Sequence, residues 1–148
     1  MRPYFIIMSG IISERDNTVD FLVNVAGLRR THIHTSDESK AISNESYTFY
    51  DYKPIYTLGQ KDMMLVNGRG KHTYGIKVEE IENSDVVAAN FDDAFQIKAF
   101  CLGAKRPCYI IGINPLSEMS QEIADIYLDK SNVAELLGFV IKKTLKEL

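Results

Sequence analysis

The chain has 148 residues, of which 45% are hydrophobic and 25% are charged, and its formal net charge is −3. This composition is ordinary for a globular protein, and the length predicts a single domain over residues 1–148 with a sizeable core. The acidic balance argues against broad nucleic-acid binding, which needs a basic surface. No apolar run approaches the roughly 18 residues of a membrane-spanning helix, so we expect no membrane partner.

The two cysteines, Cys101 and Cys108, are separated by six residues. This spacing matches neither a metal-binding pair nor a redox motif. Free cysteine is among the residue types most often buried, so we predict two buried thiols in a reducing compartment. A cytoplasmic location is therefore expected.

The first half of the chain opens with a continuous apolar run at residues 3–9, typical of a strand that is buried on both faces. Asn17 is a candidate N-cap for a helix whose apolar residues recur at helical spacing as far as Ala26. Residues 31–35 predict a short second strand. The polar, turn-rich segment 36–46 predicts a surface loop.

The middle of the chain, residues 47–66, is rich in aromatic side chains and leads into Asn67-Gly68, the strongest two-residue hairpin signal. We predict an extended, antiparallel excursion here. Its aromatic cluster is more typical of a core or a subunit interface than of a platform on which bases stack. The cluster consists of Tyr47, Phe49, Tyr50, Tyr52 and Tyr56.

The second half alternates between helical and buried-strand patterns. The predicted order is helix 75–84, strand 85–90, helix 92–103, strand 107–113, helix 120–129 and helix 132–148. Gly103 stands where a helix C-cap favours glycine, and Asn132 and Glu135 have capping-box spacing. Apolar strands that alternate with helices predict a doubly wound α/β fold, Rossmann- or flavodoxin-like, with a mainly parallel sheet and a β-hairpin excursion in the middle.

Ligands of such sheets bind beyond the carboxyl ends of the strands. Three corners fall on that rim: residues 8–10, 90–96 and 112–114. The corner at 90–96 has two interpretations. In the structural one, Asp92 or Asp93 caps the following helix, and with Asp93 as the cap Gln96 reaches back to the backbone N–H of Asp93. In the functional one, Asp92 and Asp93 accept hydrogen bonds from ribose hydroxyls or handle a proton, while Gln96 holds a sugar hydroxyl or a base edge.

Two further segments carry candidate ligands. His32 and His34 lie two apart on a predicted strand and share a face, but a zinc site needs three or four ligands, so no metal is predicted. Residues 67–72, Asn-Gly-Arg-Gly-Lys-His, lack the P-loop spacing. They are interpreted as a solvated hairpin turn or as a loop in which Arg69 and Lys71 contact phosphate.

The run DVVAANFDDAFQIKAFCLGAKRPCYIIG, residues 85–112, resembles the C-terminal half of the nucleoside 2-deoxyribosyltransferase family, including its nucleotide N-hydrolase relatives. The resemblance is carried by the strand DVVAA, by the helix start FQI at residues 95–97 and by the corner KRP at residues 105–107. The opening YFIIMSG, residues 4–10, matches the first strand of the family more weakly.

The resemblance implies a doubly wound fold that binds a nucleoside or nucleotide and cleaves or transfers its N-glycosidic bond. The glutamate nucleophile of the family falls at Gln96, so Asp92 or Asp93 would carry the charge instead. The resemblance also implies a homo-oligomer, and no cofactor is predicted. The implied substrate-binding residues are Tyr4, Ser9, Gly10, Asn90 and Asn114.

A non-catalytic protein on the same scaffold is the alternative, either a nucleotide sensor or an oligomeric interaction protein. Gln96 favours this alternative, because a neutral amide has no useful basicity. The adjacent acids Asp92 and Asp93 favour an enzyme. Both functions remain open on the sequence.

Overall fold

The computed structural model describes residues 1–49, 62–69 and 72–147. The chain forms two compact units: unit 1, residues 1–29 with 85–148, and unit 2, residues 30–84. In the described residues, each unit has its own four-stranded sheet.

Eight strands and six helices follow one another in the described residues. They are β1 (Tyr4–Ser9), α1 (Ile12–Ala26), β2 (Ile33–Thr35), α2 (Glu38–Ser43), β3 (Tyr47–Phe49), β4 (Met63–Arg69), β5 (His72–Lys77), α3 (Val78–Glu82), β6 (Val86–Ala88), α4 (Phe91–Gly103), β7 (Cys108–Ile113), α5 (Glu118–Ile123), β8 (Ile126–Leu128) and α6 (Val133–Lys146). None of these helices combines the length and apolarity needed to cross a bilayer.

The sheet of unit 1 has the strand order β6-β1-β7-β8, and every neighbouring pair is parallel. Helices α1, α4 and α5 follow β1, β6 and β7, as parallel pairing requires. This arrangement confirms the predicted doubly wound α/β fold with a mainly parallel sheet. β1 lies between β6 and β7, and all six of its residues are buried, so neither of its faces contacts solvent.

The core of unit 1 forms around β1, whose side chains alternate between the two faces of the sheet. Phe5 and Ile7 belong to a buried cluster that also includes Leu22 of α1 and Val140 of α6. Ile6 points to the opposite face, against which α4 packs. Full burial of such a side chain contributes about 1.5–3 kcal/mol, so β1 stabilises both helical layers.

A buried carboxylate stands immediately before β6. Asp85 is 1% exposed and accepts hydrogen bonds from the backbone N–H of Arg29 at 2.7 Å and from Nε and Nη2 of the same residue, each at 3.1 Å. Guanidinium nitrogens of Arg2 and Arg106 lie 3.1 and 3.8 Å from its Oδ1 atom. Three guanidinium groups therefore surround one carboxylate.

Unit 2 has a mixed sheet of order β3-β2-β5-β4, in which β2 and β3 are parallel and β5 is antiparallel to β2 and β4. The predicted hairpin excursion is thereby confirmed. The predicted turn at Asn67-Gly68 is wrong, because pairing continues beyond it to Arg69 opposite His72. The residues between that pair, including Lys71, and the aromatic residues Tyr50, Tyr52 and Tyr56 lie outside the described residues.

Two elements near the start of the chain differ from the sequence prediction. α1 begins at Ile12, so Asn17 lies inside the helix and does not cap it. The segment 36–46 was expected to be a loop but contains α2. Asp37 caps that helix by accepting a hydrogen bond from the N–H of Lys40 at 3.3 Å, which favours one helical turn over an open loop.

Three elements in the second half also differ. The helix predicted at 75–84 is the shorter α3, because β5 continues through Lys77. The helix predicted at 120–129 ends early, because the following residues form β8 and pair with β7. Gly103 is the last residue of α4 and not its C-cap, and the left-handed backbone, with φ of 58°, occurs at Lys105 instead.

A buried histidine lies on β2 of unit 2. His34 is 3% exposed, and its Nε2 atom lies 3.4 Å from Oε1 of Glu80. Burial lowers the pKa of His34 below its usual value, and the positive charge of Lys77 acts in the same direction, while Glu80 opposes both. The folded protein therefore favours the neutral imidazole.

The carboxylate of Asp85 should dominate the stability of its cluster. Asp85→Asn should lower the free energy of unfolding by about 2–4 kcal/mol, because hydrogen bonds to charged groups contribute about 1.5–3 kcal/mol and because Arg106, whose side chain is 9% exposed, loses a charged neighbour. Arg2→Gln is the matched control, because its side chain is 52% exposed, and it should cost less than about 1 kcal/mol. Urea unfolding measures both losses, and equal values would contradict this account.

The free energy of unfolding should decrease as the pH falls, because His34 becomes protonated. The unfolded chain protonates this imidazole more readily than the folded chain, so its contribution is complete above about pH 6.5 and declines as the pH falls towards the lowered folded pKa. His34→Gln should flatten the stability profile between about pH 7 and 5. His32→Gln, at an exposed neighbouring position, should change the slope much less, because the charge of His32 is the smallest of the influences on the pKa of His34. Identical profiles for the two variants would exclude His34 as the cause.

Candidate functional site

The candidate site is the rim of unit 1 at the carboxyl ends of β6, β1 and β7. These strands are parallel neighbours, so their ends meet at one edge of the sheet. Helices α1 and α4 begin at the same rim, because they follow β1 and β6. The chain places β6 on one side of β1 and β7 on the other, and sheets of this kind bind ligands where the strand order reverses.

The turn after β1 is closed by hydrogen bonds within the chain. The hydroxyl of Ser9 accepts a hydrogen bond from the N–H of Ile11 at 3.2 Å, and the N–H of Gly10 donates to the carbonyl oxygen of Pro115 at 2.7 Å. A Cβ atom on Gly10 would lie 2.9 Å from that same oxygen. A backbone hydrogen bond therefore bridges the turns after β1 and β7, and the groups of Ser9 and Gly10 that were predicted to contact ligand already support the turn.

The turn after β7 is also internally bonded. The Asn114 side chain donates to Oδ1 of Asp129 at 3.0 Å and accepts from the Tyr127 hydroxyl at 2.5 Å. Its backbone N–H donates to the carbonyl oxygen of Leu128 at 2.8 Å. Asn114 therefore lies at the predicted rim, but its amide joins this turn to β8.

The cap of α4 is Asn90. Its backbone is extended, with φ −81° and ψ −179°, and its Oδ1 atom accepts a hydrogen bond from the N–H of Asp93 at 2.9 Å. The interpretation in which Asp92 or Asp93 caps the helix, with Gln96 completing a capping box for Asp93, is therefore wrong. Asparagine and aspartate cap about equally well, so the position at which the backbone leaves the strand decides between them.

The first turns of α4 divide the predicted catalytic residues by exposure. Asp93 is 5% exposed, whereas Asp92 and Gln96 are exposed to solvent. Residues four apart on a helix are neighbours on one face, so Asp92 and Gln96 present a carboxylate and an amide side by side. Phe95 is 60% exposed beside them. These three side chains are available to a ligand.

Tyr4 does not join this site. It is the first residue of β1 and pairs with Cys108 at the amino ends of the strands, about 16 Å from Ser9 at the usual rise of a strand. Its ring is fully buried, with the guanidinium carbon of Arg106 5.0 Å from the ring centroid. Tyr4 therefore packs at the edge of the sheet opposite the rim.

The sequence analysis missed an apolar and charged surface at the start of α1. Ile11 and Ile12 are 45% and 47% exposed there, and Glu14 forms an ion pair with Lys130 at 3.3 Å. Arg15 is buried in the same turn. Because Asn17 was the candidate N-cap, these residues were not predicted to belong to the helix. The apolar pair before an acidic residue was the available signal.

The described residues supply neither a set of metal ligands nor an exposed thiol. In the described residues, no group of three or more histidine, cysteine, aspartate or glutamate side chains is placed to hold a metal ion. Cys101 and Cys108 are free and buried. The hydrogen bond between the two thiols lowers the pKa of Cys101, and the same bond together with burial raises the pKa of Cys108.

The fold is similar to that of a guanylate kinase from Anaplasma phagocytophilum. The TM-score is 0.64 at 14% sequence identity, and the match covers 95% of this chain and 85% of that chain. At this identity the similarity is one of fold alone. No protein-family model and no curated protein sequence matches the chain.

The resemblance to the nucleoside 2-deoxyribosyltransferase family is therefore wrong. Residues 85–112 form a strand, a helix and a strand of the parallel sheet, and their apolar strands and helix start are features that any such unit needs. The structural match spans nearly the whole chain, and the protein whose fold is similar is a guanylate kinase. Unit 2, a mixed four-stranded sheet, had no counterpart in that resemblance.

Because the turn at Gly10 is closely packed, adding one methyl group there should lower the stability of the fold substantially. Gly10→Ala should lower the free energy of unfolding by about 1–3 kcal/mol, because the new Cβ would press against a backbone oxygen. Gly103→Ala is the matched control, because its Cβ would meet nothing within 4 Å and alanine favours a helix. Thermal unfolding compares the two variants. A Gly10→Ala protein as stable as Gly103→Ala would show that the turn is open.

Proposed function

We propose that the protein binds a nucleoside or nucleotide at the rim of unit 1 and does not cleave it. The observation that supports this most is the similarity of its fold to that of a guanylate kinase, an enzyme whose name specifies a nucleotide substrate. The rim supplies the location, because open α/β sheets bind ligands beyond the carboxyl ends of their strands.

Asp92 and Gln96 supply the polar contacts in this proposal. Both are exposed on the first turns of α4, one helical turn apart. A carboxylate accepts hydrogen bonds from ribose hydroxyls, and an amide both donates and accepts, as a sugar hydroxyl or a base edge requires. The buried Asp93 and the capping Asn90 fix the helix start on which these two side chains stand.

Apolar side chains at the two helix starts would contact the base. Ile11 and Ile12 are nearly half exposed at the start of α1, and Phe95 is 60% exposed on α4. Every base has two π-faces, and stacking on an aromatic ring contributes about 1–3 kcal/mol for each base. Apolar side chains flanked by convergent polar groups are also the usual composition of a ligand site.

The proposal is limited to binding. Cleavage of the N-glycosidic bond rested on the family resemblance, and Gln96 is not a nucleophile. Phosphoryl transfer is not proposed either, because the sequence contains no Gly-x-x-x-x-Gly-Lys-Ser/Thr run, the pattern with which a P-loop cradles phosphates. A nucleotide sensor, which responds to a ligand without consuming it, fits these features best.

A reducing compartment such as the cytoplasm is part of the proposal. Cys101 and Cys108 are hydrogen-bonded to each other as free thiols. Neighbouring thiols of this kind persist where disulfide formation is disfavoured.

Thermal unfolding in the presence of nucleosides and their mono-, di- and triphosphates tests the proposal. A ligand at about 100 times its dissociation constant adds about 2.7 kcal/mol to the free energy of unfolding and raises the unfolding midpoint by several degrees. For the ligand with the largest shift, Asp92→Ala and Gln96→Ala should each weaken binding about five- to thirtyfold, because each removes one hydrogen-bonding side chain.

Leu102→Ala is the control for these variants. Leu102 is exposed on the same helix, about 15 Å from Asp92 at 1.5 Å per residue, and its truncation should leave the affinity unchanged. Chromatography of the incubated ligand should show no free base. No shift with any compound would contradict binding, whereas release of base would contradict the non-catalytic part of the proposal.

A further inference from the structure

Helix α6 is apolar on two opposite faces. On the inner face, Leu136 and Val140 are 6% and 2% exposed and belong to the core of unit 1. On the outer face, four exposed residues without charge fall within an arc of about 60° at 3.6 residues per turn. This outer stripe consists of Ala134, Gly138, Ile141 and Leu145. A helix that is apolar on both faces is typically covered on both.

The two large members of the outer stripe are well exposed. Ile141 is 53% exposed and Leu145 is 61% exposed, next to each other on successive turns. Single exposed apolar residues are ordinary, but a contiguous pair beside small residues forms a ridge and a notch. The stripe therefore has the shape of a contact surface and not only its composition.

Gly138 forms the notch, and the chain itself does not require a glycine there. A helical glycine costs about 1 kcal/mol relative to alanine. A Cβ atom added at Gly138 would meet nothing within 4 Å, so no atom of the described residues excludes a larger side chain there. The close approach of a helix from another molecule would account for this residue.

We propose that the outer stripe binds the outer stripe of a second copy of this chain, with the two α6 helices antiparallel about a two-fold axis. Gly138 and Ile141 lie equally far from the midpoint of the stripe, as do Ala134 and Leu145. In an antiparallel pair, Gly138 of one copy therefore faces Ile141 of the other, and Ala134 faces Leu145. Each large side chain meets a small one, and a two-fold interface is self-complementary in this sense.

The charged residues on one flank of the outer stripe also favour the antiparallel pair. Glu135, Lys142 and Lys146 lie together on that flank. In a two-fold antiparallel pair the same flanks meet, so Glu135 of one copy falls between Lys142 and Lys146 of the other, about 3 Å along the axis from each. A parallel pair would instead place this charged flank of each copy against the opposite, uncharged flank of the other, and it would leave a gap between two Gly138 residues.

The size of the stripe sets the expected affinity. One pair of short helices lies at the low end of specific interfaces, so the dimer should form and dissociate with protein concentration. Unit 1 has its own buried core, and the monomer should therefore remain folded when the dimer dissociates.

Sedimentation velocity on the full chain, from about 1 µM to about 1 mM, tests the proposal. The natural protein should show a monomer–dimer equilibrium. Gly138→Leu should raise the dissociation constant at least about tenfold by filling the notch, while the better helix former raises the stability of the monomer. Ile141→Glu should have the same effect on association. Leu102→Glu, which places the same charge on an equally exposed leucine of α4, should leave the dimer intact.

Charge reversal tests the antiparallel orientation. Glu135→Lys should weaken the dimer about fivefold or more, and the combined reversal Glu135→Lys, Lys142→Glu and Lys146→Glu should restore it. A protein that stays monomeric at the highest concentration would overturn the proposal. So would a dimer that Gly138→Leu and Ile141→Glu leave unchanged, because another surface would then hold it, or a dimer that Glu135→Lys strengthens.

Discussion

The carboxylate of Asp85 joins the two points at which the chain leaves and re-enters unit 1. Arg29 is the last residue of unit 1 before residues 30–84, and Asp85 is the first residue after them. A backbone N–H of Asp85 donates to the carbonyl oxygen of Arg29 at 2.8 Å, in addition to the bonds from Arg29 to the carboxylate. Holding the ends of a segment of about 55 residues together costs about 3–4 kcal/mol in chain entropy, which a few charge-assisted hydrogen bonds are able to offset. β6 begins at the next residue, so its register beside β1 depends on this contact.

The internal bonds at the rim show what the fold leaves for a ligand. Ser9 closes the turn after β1, and Gly10 bonds that turn to the one after β7. Asn114 joins the turn after β7 to β8, and Asn90 caps α4. Each of these groups is a good hydrogen-bonding partner, yet each is already used to define the rim. Under the proposed function, recognition would therefore depend on the side chains that this frame presents outward, namely Asp92, Phe95 and Gln96 of α4 and the exposed isoleucines of α1.

The sequence predicts those elements that are buried along their whole length, because such elements appear in it as long apolar runs. β1 and β7 have six residues each and are almost wholly buried, so their apolar runs identify them without any knowledge of their neighbours. β8 has only three residues, and its strand character comes from pairing with β7, which no local pattern records. The alternation of strands and helices predicts the rim, but no local pattern predicts the cap, because asparagine at 90 and aspartate at 92 or 93 suit an N-cap equally well. Backbone geometry decided that choice.

Two glycines illustrate how the structure separates constraints within the chain from those outside it. The same residue type stands at Gly10, where a side-chain atom would collide with a carbonyl oxygen, and at Gly138, where it would meet open space. The first glycine is explained by the fold, because the turn after β1 closes only without a Cβ. The second carries the usual cost of a helical glycine, and no contact within the part of the chain that the structure describes compensates for it. The outer stripe around Gly138 is complementary in shape and in charge to an antiparallel copy of itself. The contact that would offset the cost of this glycine is therefore best sought in another copy of α6.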